Sequence, residues 1–339
     1  MPYFSIIMPV FDGENYVRKA IASVRNQSFS DFELIIIDDG SKDNSSEICL
    51  AECQKDPRIK FIAQNNKGAL LARKTGVQTA DGIYTLFLDC DDTFKLESLN
   101  LIYRELQKYP VDLLIFNYNK LGAEGKIKPG KQILSNQKIY TGRELVKLSV
   151  DYFGELNSLC TKVVKTEFVR KAFALYDCRL SMAEDYLISL QIFKNINNAA
   201  YFDKCLYNYT DNPCSSMHNV KKEFFSEYEF VYLNALNILH DFSFLAEEEI
   251  NLAKNIMIKI FADYFFYTFQ KRLPFREFWK LGEQISTKKY MHNYTSDLKL
   301  GPIWRPIYIL MKLHKYKCLY FYFLLLQLGY FTKHGKFST

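Results

Sequence analysis

The chain has 339 residues, 48% of them hydrophobic and 24% charged, with a formal net charge of +6. Those proportions exclude an intrinsically disordered chain, and the length predicts two units, or one core with a large appendage. The eight cysteines are scattered with no Cys-x-x-Cys pair, which argues against a zinc site and for reduced, mostly buried thiols in the cytosol or at its membrane face.

The first apolar run, Tyr3 to Val10, predicts a buried strand in place of the basic and long apolar regions of a secretory signal, so none is expected. A turn at Asp12-Gly13 follows, and Val17, Ala20, Ile21 and Val24 then recur at the spacing of a helix laid on a sheet. Phe32 to Ile37 reads as a second strand that stops at Asp38-Asp39-Gly40-Ser41. Asn44 or Ser45 opens a helix, Ile59 to Ala63 is a third strand, Gly68 to Ala80 a helix, and Ile83 to Leu88 a fourth strand. This alternation predicts an α/β fold with a mostly parallel sheet covered on both faces.

The fourth strand ends in Asp89-Cys90-Asp91-Asp92. Three carboxylates that close raise one another's pKa unless a cation offsets them, and Mn²⁺ or Mg²⁺ held by carboxylates commonly also grips phosphate oxygens. Two strands thus deliver acids to one sheet edge, where open α/β sheets bind ligands. Asp39 and Asp89 are expected to be neighbours, with Asp38 and Asp39 accepting hydrogen bonds from a base or ribose and Asp89, Asp91 and Asp92 holding metal. The simpler reading makes Asp92 or Thr93 the cap of a helix beginning near Lys95.

Five stretches now carry a resemblance: SIIMPVFDGENYV at 5–17, SVRNQSF at 23–29, ELIIIDDGSKD at 33–43, NNKGALLARKTG at 65–76 and FLDCDD at 87–92. In this order they resemble the family 2 glycosyltransferases of GT-A fold, and the resemblance continues more faintly to His218. It implies an inverting transfer of a sugar from a nucleotide-diphosphate donor, UDP-sugar by preference, to a hydroxyl. It implies that Pro9, Val10 and Phe11 contact base and ribose, that Asp39, with Asp38 beside it, bonds the base, and that Arg73 lies near the diphosphate. Asp89 and Asp91 form the Asp-x-Asp motif, with Asp91 the first metal ligand and Asp92 next. Asp12 and Lys74 stand where family members commonly carry Asn, and both add charge near the nucleotide.

Val111 to Tyr118 reads as a further strand, and Leu121 to Gln137, rich in Gly and Lys, as a mobile loop or hairpin able to cover the site. Thr166 caps a helix through Phe168, Val169 and Ala172. The following Ser181 to Leu190 resembles the family's Glu-Asp segment, which implies that Asp185 is the catalytic base and that Glu184 bonds the acceptor or orients that base. The alternative for this pair is two acids placed favourably at a helix N-terminus. Tyr207 to Ser216 matches an aromatic-rich strand and serine loop, and His218 beyond it could supply another metal or diphosphate ligand.

The catalytic domain is therefore expected over 1–219, as a nucleotide-binding half, 1–118, and an acceptor half, 119–219. A helical appendage follows at 220–297 and a basic aromatic tail at 298–339. No acid follows Asp297, while Lys299, Arg305, Lys312, Lys315, Lys317, Lys333 and Lys336 do. Apolar company favours lipid over nucleic acid as the tail's partner and predicts peripheral contact with the inner face of a cell membrane. Tyr320, Phe321 and Phe323 could instead dock in the protein or at a homodimer contact. The acceptor expected in that setting is a glycan or a lipid-linked precursor of bacterial surface polysaccharide. Asp89-x-Asp91-x-Thr93 also fits a haloacid-dehalogenase-like phosphatase with Asp89 as nucleophile, and a non-catalytic sugar-nucleotide-binding protein on the same fold is the third reading.

Overall fold

The computed structural model describes residues 1–122, 126–136, 138–151, 156–180, 183–210, 212, 224–241, 309–310 and 318–319. The expectations for His218 and for the tail's membrane or dimer contact lie outside the described residues. The chain divides into two compact units, residues 1–219 with 229–245, and residues 220–228 with 246–339. The elements below belong to the first unit, apart from the start of the last helix.

Four parallel strands form its first half: β1 (Phe4–Val10), β2 (Phe32–Asp38), β3 (Ile59–Ala63) and β4 (Tyr84–Phe87), in the order β3-β2-β1-β4. All seven residues of β2 are buried, the mark of a strand covered on both faces. The connecting helices are α1 (Val17–Arg25), whose buried residues are the four predicted, α2 (Ser45–Cys53) and α3 (Ala69–Thr79). Helix α3 lies so close to the sheet that a Cβ on Gly76 would sit 2.5 Å from Ile7 Cγ2 and 2.6 Å from Ile37 Cδ1. Gly76→Ala should therefore destabilise the domain by about 1–3 kcal/mol through overpacking. An unchanged urea midpoint would show that the helix can retreat freely.

Beyond β4 the sheet changes sense. Strand β9 (Lys162–Lys165) enters antiparallel between β4 and β6 (Leu113–Leu121), and β6 runs parallel to β10 (Ala199–Thr210). Short β5 (Thr93–Phe94) pairs antiparallel with β10. Asp92 and Thr93 are thus no helix cap, because the chain makes a strand here and the helix, α4 (Ser98–Lys108), starts later. The glycine- and lysine-rich stretch after Leu121 is a hairpin, with β7 (Ile127–Pro129) paired to the end of β6. After β8 (Ile139–Tyr140) come α5 (Gly142–Asp151), α6 (Thr166–Ala174), α7 (Glu184–Asn195) and α8 (Phe224–His240), the last of which begins in the second unit. Thr166 opens α6 but does not cap it: its Oγ1 donates 2.6 Å to the Gly82 carbonyl and lies 2.9 Å from Thr85 Oγ1, tying the helix to β4.

Candidate active site

The loops after β1 and β2 are laced together at the carboxyl edge of the sheet. Asp12 takes φ +48°, a left-handed conformation that a short polar residue tolerates, and its Oδ1 accepts the Lys42 N–H at 2.7 Å. Gly13 N–H donates to Ser45 Oγ at 2.8 Å and Glu14 N–H to Asp43 Oδ2 at 2.9 Å. Of the first-strand residues, Val10 is buried, Pro9 half-buried and Phe11 45% exposed, so Phe11 offers the largest free surface to a ligand.

Both acids at the end of β2, Asp38 as its last residue and Asp39 just beyond, are buried and bonded within the protein. Asp38 accepts from Ser41 N–H, Ser41 Oγ and Ser46 Oγ. Asp39 accepts from Gln64 Nε2 at 2.7 Å, Lys67 N–H at 2.8 Å and Gly68 N–H at 2.7 Å. Three of its roughly four acceptor positions are filled, so its first effect is to fix the 64–68 loop. Gly68 has φ +90° and lies under Arg179, whose Cγ would be 3.1 Å from an added Cβ. Asp39 thereby sets the start of α3 and the height of Arg73 one turn later. The expectation that Asp39 and Asp89 adjoin is corrected: β1 lies between their strands, a separation of roughly 10 Å at the usual strand spacing.

Arg73 organises the centre. Its side chain is 6% exposed, Nη2 donates to Asp89 Oδ1 at 2.7 Å, Nη1 donates to Glu184 Oε1 at 2.9 Å, and Nη1 lies 3.6 Å from Asp185 Oδ1. One guanidinium fork thus joins the end of β4 to the start of α7, with Arg73 itself 111 residues from Glu184 in sequence. It is no surface salt bridge. Lys74, by contrast, points away, donating to the Tyr176 carbonyl at 2.8 Å, so the charge expected from it near a nucleotide is spent elsewhere.

Asp185 Oδ2 accepts the Leu159 N–H at 3.1 Å, while the buried Oδ1 has no hydrogen-bond partner among the described residues. Burial pushes the Asp185 carboxyl up, with Arg73 pulling the other way. Burial, then the Asp185 charge, pushes Glu184 up to about 7. Asp185, raised above its ordinary value and with one oxygen uncommitted, is equipped to take a proton.

The remaining acids divide by environment. Asp92 is 1% exposed; Oδ2 accepts from Tyr207 Oη and Oδ1 from Thr210 N–H, both at 2.7 Å. Both oxygens anchor β10. Asp91 is half-buried, Oδ2 accepts from Asn212 Nδ2 at 2.9 Å, and burial raises its carboxyl. Burial also pushes Asp92 up to about 8, with Asp89 adding to it. These acids carry more negative charge than Arg73 offsets, which fits a cation beside Asp91 and Asp89. No group of three or more metal-ligating side chains occurs among the described residues, so such a cation would need ligand oxygens as well.

Asp89 also receives the Cys160 thiol at 3.4 Å and, at its backbone N–H, contacts Tyr207 Oη at 3.2 Å. Cys160, Tyr207 and Asn212 escape sequence reasoning, because a cysteine among apolar residues and a tyrosine in a strand look like core. Only the run of acids they serve gives a hint. Thr93, which the phosphatase reading needs, sits in β5 beside Asn208, and Asp89 follows the fourth strand, where that chemistry requires the first.

Residues 5–161 match the family model Glycosyl transferase family 2. The chain is 32% identical over 203 residues to an uncharacterized glycosyltransferase of Haemophilus influenzae, covering 60% of this chain and 76% of that protein. It is 29% identical over 219 residues to glycosyltransferase GlyA of Streptococcus pneumoniae, covering 60% of this chain but only 30% of GlyA. The crystal structure of Staphylococcus aureus TarS 1–349 in complex with UDP-GlcNAc superposes with a TM-score of 0.60 at 18% identity, over 97% of this chain and 92% of that one. That likeness shows the fold.

Proposed function

The chain belongs to glycosyltransferase family 2 and has its GT-A fold, and from that premise we propose that it moves a sugar, with inversion, from a UDP-sugar to a hydroxyl acceptor. The observation that carries the reading is Arg73 holding Asp89 and the Glu184-Asp185 pair on one guanidinium, because it gathers the Asp-x-Asp end of β4 and a candidate base into one cluster. UDP is the nucleotide chosen because TarS was solved with UDP-GlcNAc bound.

The acceptor oxygen attacks the anomeric carbon from the face opposite the diphosphate. As that C–O bond forms, the bond from the anomeric carbon to the phosphate oxygen breaks, UDP leaves with the electron pair, and the hydroxyl proton passes to the Asp185 carboxylate. Glu184, bonded to Arg73, orients the pair. Arg73 faces the departing diphosphate, and the Phe11 ring offers a surface to the base while Asp38 and Asp39 hold the loops beneath it. The acceptor is read as a hydroxyl of a glycan or lipid-linked precursor, consistent with the +6 net charge collected toward the tail.

A divalent cation, Mn²⁺ or Mg²⁺, fits Asp91 with Asp89 in support, and when bound would neutralise charge on the diphosphate. UDP alone should raise the melting temperature, and UDP with Mn²⁺ should raise it further, since a ligand confined to the folded state stabilises it. Asp91→Asn should keep the first increment and lose most of the second in a thermal-shift titration. If the variant responds to Mn²⁺ as the wild type does, the cation is held elsewhere.

A further inference from the structure

Lys162 is a buried charge that the reaction above does not use. It is 0% exposed, at the first position of β9 opposite Ile115, and its ammonium donates to the Ser158 carbonyl and lies 5.7 Å from the Phe193 ring centroid. No carboxylate pairs with it among the described residues. Taking an ammonium out of water costs several kcal/mol, and an apolar side chain of similar length would be the cheaper filling.

What the charge reaches is the turn that serves Asp185. Residues 157–159 are fastened to α7 twice: Ser189 Oγ donates to the Asn157 carbonyl at 2.8 Å, and Leu159 N–H donates to Asp185 Oδ2 at 3.1 Å. Lys162 grips the carbonyl between those two points. Asp185 is the carboxylate whose charge acts on it, countering the burial that pulls the lysine down to about 7. We propose that Lys162 is a positioning residue for the base: it fixes the Ser158 carbonyl so that the Leu159 N–H meets Asp185, and its charge favours the ionised carboxylate. This rests on the reading of Asp185 as base.

The groups facing Asp185 are Arg73 from α3, Asp89 after β4, Cys160 in the turn, Lys162 from β9 and Glu184 on its own helix. Of these only Arg73 and Lys162 favour the charged form, so loss of Lys162 must raise the pH at which Asp185 ionises.

The test uses the full chain with Asp labelled at its carboxyl carbon, the Asp185 signal being identified as the one missing from Asp185→Asn. In Lys162→Met the titration midpoint of that signal should rise by about one pH unit. UDP release from UDP-GlcNAc with Mn²⁺ should fall about tenfold or more in kcat, with KM and UDP affinity within twofold. Lys162→Arg, which keeps the charge, should restore the midpoint toward the wild type. Should Lys162→Met fail to fold, Lys162→Gln keeps a donor to Ser158, removes the charge and is read the same way. A variant without the charge whose Asp185 titrates at the wild-type midpoint overturns the inference. The NMR readout needs no turnover, and a fully active Asp185→Asn would overturn the base reading separately.

Discussion

Asp185→Asn should lower turnover about 10³-fold while leaving UDP affinity within twofold, because an amide occupies the same space but cannot accept the acceptor's proton. Its geometry should survive: the Leu159 N–H can still donate to the amide oxygen that replaces Oδ2, and α7 begins at the same place. The wild-type pH profile carries the same signature. Burial lifts the Asp185 carboxyl above its ordinary value, so kcat/KM should fall on the acid side through a limb higher than the usual carboxylate range. In the Asn variant that limb should vanish from the residual rate. Retained donor binding with lost turnover also separates a transferase from a sugar-nucleotide-binding protein, which would be indifferent to the change. Full turnover in this variant would refute the assignment of the base.

The second large effect is on Arg73. Arg73→Met should destabilise the domain by about 3 kcal/mol, since removing one partner of a buried ion pair leaves the others uncompensated, and turnover should be lost as well. The carboxylates stranded are Asp89, Glu184 and Asp185, whose side chains are 35%, 12% and 29% exposed, so solvent relieves part of the cost. The pH dependence has a definite sign. Burial already holds the Glu184 and Asp185 carboxyls above their ordinary values, and loss of the guanidinium raises both further. A group so raised stabilises the fold at low pH and loses that contribution as pH climbs through its folded pKa. The stability deficit should therefore be smaller at pH 5 than at pH 8. An equal deficit at both, measured by urea unfolding, would mean that Arg73 acts by packing alone. Lys in its place should recover little, because an ammonium cannot reach Asp89 and Glu184 together as a planar fork does.

The sequence by itself determined the strands and helices of the first half, since each is reported by its own periodicity. Ile59–Ala63 comes out with the predicted limits, Phe32–Asp38 is one residue longer, and the inward residues of α1 are those at i, i+3, i+4 and i+7. It also placed acids at the ends of β2 and β4, because an apolar run halting at carboxylates marks a sheet edge. Only the tertiary structure decided what those acids do. Asp92 anchors β10 through Tyr207, 115 residues away, and Arg73 meets Glu184 across 111. Local pattern says whether a side chain is buried but not which element faces it. Partners of a buried polar group are set by how distant segments pack, so Thr166 bonds β4 where a cap was expected and Lys162, silent in the sequence, lies under the turn at Asp185.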